Sequence, residues 1–459
     1  MSKRGILLSA KQIDIISLHD SSQLNRCEMS HKLRKELGLS ERLSSLKIKC
    51  GMHTELCPLV FINEDRFCLT IPTHIREKLH LPLHDFSIQC KMSHHILHLG
   101  PTIAILTEIN DKDDHVHFGT IHGFCEEMAL LCEAKGILFY VFSLSGYSKD
   151  RVTGYYFFQN KWHKTTIPFP DVVHNRIHSR KREHSNQFLF VTTDLIAKNI
   201  PYFNNRYLNK WEVHQILSAA DHLLPYLPES KLLESRQDFE HMLSVKKDLF
   251  VKPIYGSLGK RIFRVKEMED RSFHLDFTTF SGELTHEYES FIQLYKTLYP
   301  RLKKEQFLLQ ETIQLKKYKN RTLDFRILCH KKNYQAWSVS SAVARVSGSN
   351  QIVSNLARGG ELLPLKNVLE EIFSKKEARN LRKILTELSL EIVQTLYTYA
   401  GGEYGEFGID LAIDENGHPW ILEVNTKPSK SNEDHTNGKV RPSARGILNY
   451  CLFLTQFFD

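Results

Sequence analysis

The order of apolar and polar residues divides the chain into three textures. Up to about residue 98, short helical stretches alternate with runs of period two. LRKELGL (Leu33–Leu39) matches IREKLHL (Ile75–Leu81) at apolar and charged positions alike, and each is followed by an alternating run, LKIKC (Leu46–Cys50) and FSIQC (Phe86–Cys90). Period two marks a half-buried strand and period 3.6 a helix, so the pattern predicts a helix–strand unit used twice. Such a duplication suits a small pseudo-symmetric barrel over residues 1–98.

From residue 99 to 199 the apolar runs become continuous. GPTIAILTE (Gly100–Glu108) and ILFYVFSL (Ile137–Leu144) read as buried strands, and GFCEEMALLCEAKG (Gly123–Gly136) has helical spacing with a C-cap glycine. Strand–helix–strand with apolar strands implies a parallel sheet, hence an open α/β domain. Further strands are expected at Asp171–Ile177 and Gln187–Thr193. No GxGxxG pattern occurs in this segment. The third segment, 200–459, carries the candidate chemistry, and no Pro-, Gly- or Ser-rich linker precedes it.

Composition changes this picture little. Of 459 residues, 41% are hydrophobic and 25% charged, an ordinary globular balance, and at roughly 150 residues per domain the length suits two to four domains. The 61 Lys+Arg against 53 Asp+Glu give +8, which suits an anionic ligand and is too dispersed to argue for nucleic acid. The basic run Arg176–His184 reads first as a solvated loop. Nine cysteines without CxxC spacing fit a reducing compartment and no zinc site. His94, His95 and His98 lie close together without ligand spacing. With no signal-peptide pattern and no run of 18 apolar residues, a cytoplasmic protein without a membrane span is expected.

Three segments carry candidate chemistry. In DLFVKPIYGSLGKRIFRV (Asp248–Val265), an apolar strand ends on Lys252 and is followed by a Gly-Ser-x-Gly loop. Such a loop lets backbone N–H groups approach phosphate oxygens, and it reads equally as a plain hairpin turn. FLLQETI (Phe307–Ile313) closes on Gln310 and Glu311, where an edge backbone could pair with adenine. In EFGIDLAIDENGHPWILEVNTKPS (Glu406–Ser429), two strands flank an Asp-Glu-Asn-Gly turn. Asp410 lies on the first strand; Glu423 and Asn425, two apart, share a face of the second. Oxygen donors converging there suit Mg²⁺, with phosphates completing its shell.

Taken in order, the lysine and glycine loop, the Gln-Glu strand end, Asp-x-Arg, Asn-x-x-x-Gly-Gly and Gly-x-Asp…Glu-x-Asn-x-x-Pro resemble the ATP-grasp superfamily. The stretch Thr322–Gly360 is similar to the subgroup holding glutathione synthetase and the ribosomal-protein glutamate ligases. FNNRYLNKWEVHQIL, PDVVHNRI and GPTIAIL resemble the YheC/YheD family of endospore coat-associated proteins. The second barrel copy also resembles the swapped-hairpin modules of AbrB-type regulators, a fold shared with barrels that do not bind DNA.

The superfamily resemblance implies α/β and α+β architecture: an ATP-grasp fold over 200–459, preceded by an open α/β pre-ATP-grasp domain and the small β-rich domain. It implies that Lys210 and Lys252 hold the α- and β-phosphates under a loop of Gly256, Ser257 and Gly259. Gln310, Glu311 and Ile313 would form the adenine hinge. Asp410, Glu423 and Asn425 would bind two Mg²⁺ ions, and Arg345 and Asn355 would face the γ-phosphate and acyl group, with Arg326 nearby on the Asp-x-Arg strand; a lone strand arginine such as Arg326 also reads as a surface or ion-pair residue. The implied reaction activates an unidentified carboxylate with ATP for attack by an amine. The alternative is a nucleotide-binding but catalytically idle spore-coat structural or assembly protein. Two departures stand out: Arg261 replaces a further loop glycine, and Ser429 follows the motif proline where glycine is frequent.

Overall fold

The duplicated pattern near the N-terminus folds as two helix–strand copies. His31–Glu36 is a helix whose N-cap, Ser30, accepts from the Leu33 amide, and the strand Ser45–Cys50 follows; Thr73–Lys78 and Phe86–Ser93 repeat the pair. Arg34 and Arg76 occupy matching positions. Each buried guanidinium donates to carbonyls of the turn after its helix, Arg34 to Leu39 and Arg76 to Pro82 and His84. The duplication therefore carries its own turn-fixing arginines, and the strands close into a barrel.

The computed structural model describes residues 10–16, 25–111, 115–256, 261–279, 282–348, 360–430 and 440–458. They group into two units: Met1–Asn205 with Lys332–Gln335 and Ser429–Asp459, and Arg206–Lys331 with Ala336–Pro428. In the first unit the barrel adjoins a sheet in which Leu138–Tyr147, Thr102–Leu106, Val172–Asn175 and Tyr202–Phe203 run parallel in that order. A hairpin, Val152–Phe158 and Lys161–Ile167, extends one edge antiparallel. Every residue of Thr102–Leu106 is buried, as a central strand covered on both faces requires. The crossover helix His122–Glu133 and the chain's last helix, Pro442–Thr455, share one core with it through Ile103, Met128, Ile447 and Cys451.

One expected strand is a helix. Residues Asn186–Ala197 are helical, with Ser185 as N-cap accepting from the Phe188 amide at 3.2 Å. Phe188, Val191, Thr192 and Leu195 are buried, which is helical spacing. The run looks strand-like because Leu189 and Phe190, outside that stripe, are apolar too; both are exposed.

The second unit holds two antiparallel sheets. The first orders Ser230–Leu232, Phe307–Glu311, Asp248–Pro253, Phe263–Glu267, Phe273–Thr279 and Gly282–Tyr288. Its core is shared with the helices Arg236–Lys246 and Phe291–Leu302. The second orders Glu361–Pro364, Trp337–Val346, Arg321–Lys331, Glu406–Ile413 and Pro419–Asn425. Alternation in Arg321–Lys331 sends Leu323, Phe325, Ile327 and Cys329 into a core with the long helix Lys375–Tyr399. Asp324 and Arg326 therefore occupy the opposite face. One apolar and one charged face on the same strands is what positions the site.

Candidate nucleotide and metal site

Lys210 opens the helix Lys210–Ser218, capped by the Asn209 side chain, which accepts from the Glu212 amide at 2.9 Å. Its ammonium donates to the Gly256 carbonyl at 3.0 Å and lies 3.1 Å from Glu423 Oε1. A Cβ at Gly256 would stand 2.9 Å from Pro253 Cγ and 3.6 Å from the Lys210 ammonium, so this close approach needs glycine. Lys252, on the strand Asp248–Pro253, donates to Gln310 Oε1 at 2.5 Å, and Gln310 Nε2 donates to Ser230 Oγ at 3.1 Å. Burial, with Lys210 adding to it and Glu423 opposing, pulls the Lys252 ammonium down to about 8. Lys210, Lys252, Gln310 and Glu423 line one cleft, together with His214 and Leu227.

Gln310 and Glu311 part company, as strand alternation dictates. The Glu311 carboxylate turns away to Lys246 Nζ at 2.8 Å and the Glu229 amide at 2.7 Å. Nor is Phe307–Glu311 an edge strand: Ser230–Leu232 and Asp248–Pro253 flank it on both sides. Free backbone begins only beyond it. The Thr312 amide still donates to Asp248 O, at 3.0 Å, while the Ile313 amide donates to nothing among the described residues.

The carboxylates meet as the motif spacing predicts. Asp410 pairs directly with Glu423, and Gly408 with Asn425, on Glu406–Ile413 and Pro419–Asn425. A Cβ on Gly408 would come within 2.7 Å of Pro428 Cβ, which explains why the glycine and the motif proline occur together. The intervening turn is organised by Asp414, whose Oδ1 accepts from the Asn416 and His418 amides, both at 2.9 Å. Gly417 supplies the left-handed residue, at φ 84°.

Two arginines hold Asp410. Arg326 Nη2 donates to Oδ2 at 2.9 Å and Nε to Oδ1, while Arg345 Nη2 lies 3.1 Å from Oδ2. Arg345 Nε also donates to Asp324 Oδ1 at 2.5 Å. Burial pushes the Asp410 carboxyl up, but the two guanidiniums outweigh it and hold it below the usual carboxylate range. Arg326, which sequence alone left as a surface or ion-pair arginine, is a largely buried ion-pair partner.

The donor set fits a hard cation with phosphate ligands. Glu423 Oε2 and the Asn425 amide have no partner among the described residues, and Asp410 Oδ1 keeps an unused lone pair. No three His, Cys, Asp or Glu side chains among the described residues form a metal group by themselves. Two carboxylates and an amide therefore need further oxygens, which phosphates supply. Ser257, Gly259 and Asn355 lie outside the described residues. Arg261 does not: it sits at φ 60°, where glycine is the default, and pairs with Glu305. Sequence reasoning passed over His214, although its spacing of one helical turn after Lys210 could have found it.

A family model described as YheC/D like ATP-grasp matches residues 199–454. The chain belongs to that family. Among curated relatives of this YheC/D-like ATP-grasp chain, the endospore coat-associated protein YheD of Bacillus subtilis (strain 168) is 26% identical over 91% of this chain and 90% of its own. The endospore coat-associated protein YheC of the same strain is 23% identical over 67% of this chain and 85% of its own. A solved structure, D-alanyl-alanine synthetase A from Vibrio cholerae O1 biovar eltor str. N16961, aligns over 78% of this chain and 98% of its own, at 12% identity and TM-score 0.45. No helix among the described residues is long and apolar enough to cross a membrane.

Proposed function

We propose that the cleft binds ATP with Mg²⁺ and activates a carboxylate as an acyl phosphate, which an amine then attacks to form an amide. The observation that carries this reading is the pairing of Asp410 with Glu423 on the charged face of a sheet, with Lys210 and Lys252 lining the same cleft as Glu423. Lys210 and Lys252 would take the α- and β-phosphates, and the Ile313 amide the adenine. Asp410, Glu423 and Asn425 would hold two Mg²⁺ ions, which when bound neutralise phosphate charge.

In the first step a substrate carboxylate oxygen bonds to the γ-phosphorus as the bond to the ADP oxygen breaks. In the second the amine nitrogen bonds to the acyl carbon, phosphate leaves, and the nitrogen gives up a proton. The chain contributes positioning and charge: Arg345, with Arg326 beside it, stabilises negative charge on the transferring group. Asn355 and the loop of Gly256, Ser257 and Gly259 belong to the same proposed set.

The names of the two Bacillus subtilis relatives support a place in or near the spore coat. The double arginine clamp on Asp410 favours a second reading, a nucleotide-binding but idle coat protein, because the two guanidiniums already balance its charge and leave one lone pair on Oδ1 for a cation. Glu423→Gln separates the two. With candidate carboxylates and amines, phosphate release from ATP is expected to fall at least about a hundredfold, roughly 2.7 kcal/mol of barrier. Measurable release indifferent to the substitution contradicts the catalytic reading.

A further inference from the structure

His214 lies on the helix Lys210–Ser218, one turn beyond Lys210, and lines the same cleft as Lys252, Gln310 and Glu423. Its ring is fixed by stacking on Trp211, with centroids 5.4 Å apart and planes at 21°. Neither ring nitrogen has a hydrogen-bond partner among the described residues, although the surrounding polar side chains Lys210, Lys252 and Gln310 all have theirs. Burial lowers its affinity for a second proton, so the ring carries one N–H donor and one acceptor nitrogen. An oriented, unpaired donor and acceptor in a cleft point to a ligand group.

A base whose Watson–Crick edge meets the Ile313 amide, with its phosphates at Lys210 and Lys252, keeps two edges for other partners, one bearing N3 and one bearing N7 and N6. The N3 edge of adenine offers only an acceptor, whereas the other offers an acceptor at N7 and a donor at N6, so a single nitrogen of a neutral imidazole finds a partner there in either tautomer. We infer that His214 hydrogen-bonds the N7/N6 edge of adenine and helps set the base specificity of the cleft. The inference rests on the ATP reading above.

The test compares binding of ATP and 7-deaza-ATP, in which a C–H replaces N7, by calorimetry with Mg²⁺ on the full chain. The wild type is expected to bind ATP about fivefold more tightly, the range of one net hydrogen bond. In His214→Phe, which keeps an aromatic ring against Trp211, the two affinities become equal; in His214→Gln, which retains a donor and an acceptor, part of the preference returns. If His214→Phe melts early, His214→Leu serves the same comparison. A preference that persists in the Phe or Leu variant overturns the inference and assigns N7 to another group, such as Lys252. Equal affinities in the wild type overturn it as well. Absence of ATP binding by the wild type is a separate outcome, and it removes the reading of the cleft itself.

Discussion

Lys252 is the residue whose chemistry is most exposed to test. It is held by Gln310 in a cleft that disfavours its charge, and its ammonium titrates near 8. Below that pH the ligand-free side chain is charged; above it, neutral. Phosphates favour the charged form, so ATP binding takes up a proton above pH 8. Affinity is expected to fall by up to about tenfold per pH unit there, and titrations of Lys252→Met should lose that slope. At pH 7, Lys252→Ala is expected to weaken ATP by about 1.5–3 kcal/mol with little change in melting. Lost thermal stability at unaltered affinity would refute the role. Asp410 contrasts with it. Its folded carboxyl lies below the usual range, so its stabilising effect is complete above the unfolded value near 4 and fades as pH falls through the folded one. Asp410→Asn strips the buried arginines of their shared charge, and denaturant unfolding at pH 7 should show a loss of about 3 kcal/mol.

Among the elements, the antiparallel pair Glu406–Ile413 and Pro419–Asn425 was the most legible in sequence. Its two strands, turn and motif are contiguous, and alternation alone puts Glu423 and Asn425 on one face. The arginine clamp was not legible, because Arg326 and Arg345 reach Asp410 from strands more than sixty residues earlier, and pairing register fixes that contact. Helix Asn186–Ala197 resembles a strand in sequence because its exposed positions Leu189 and Phe190 hide the period. Its cap is decisive: Ser185→Ala is expected to cost about 1 kcal/mol, read by denaturant unfolding, with ATP affinity unchanged. A neutral result would mean that tertiary packing, and not the cap, fixes the helix start. The helix Lys210–Ser218 poses a different question, since Lys210 neutralises Glu423 at 3.1 Å before any ligand arrives. Mn²⁺ binding without nucleotide, followed by electron paramagnetic resonance, should be weak in the wild type and several-fold tighter in Lys210→Gln. Equal binding in both would show that the lysine does not guard the carboxylate.

Across the whole chain, the motif order pointed to the ATP-grasp superfamily and segments such as FNNRYLNKWEVHQIL to the family matched over residues 199–454, and continuous apolar strands sufficed to give the parallel sheet of the first unit. Where the last helix packs could not be read. Pro442–Thr455 follows the motif region in sequence, yet its Ile447 and Cys451 lie in the core built on Thr102–Leu106, because an amphipathic helix states which face is apolar and not what covers it. In the second unit, two lysines, a hinge amide and an acidic strand pair are proposed to act as one site for Mg²⁺ and ATP. Calorimetric titration of the full chain with a non-hydrolysable ATP analogue, in Mg²⁺ and then in EDTA, tests it most directly. Saturable binding in Mg²⁺ that weakens at least about tenfold in EDTA is expected; equal affinity in the two buffers, or no binding in either, would contradict a joint Mg²⁺–ATP site.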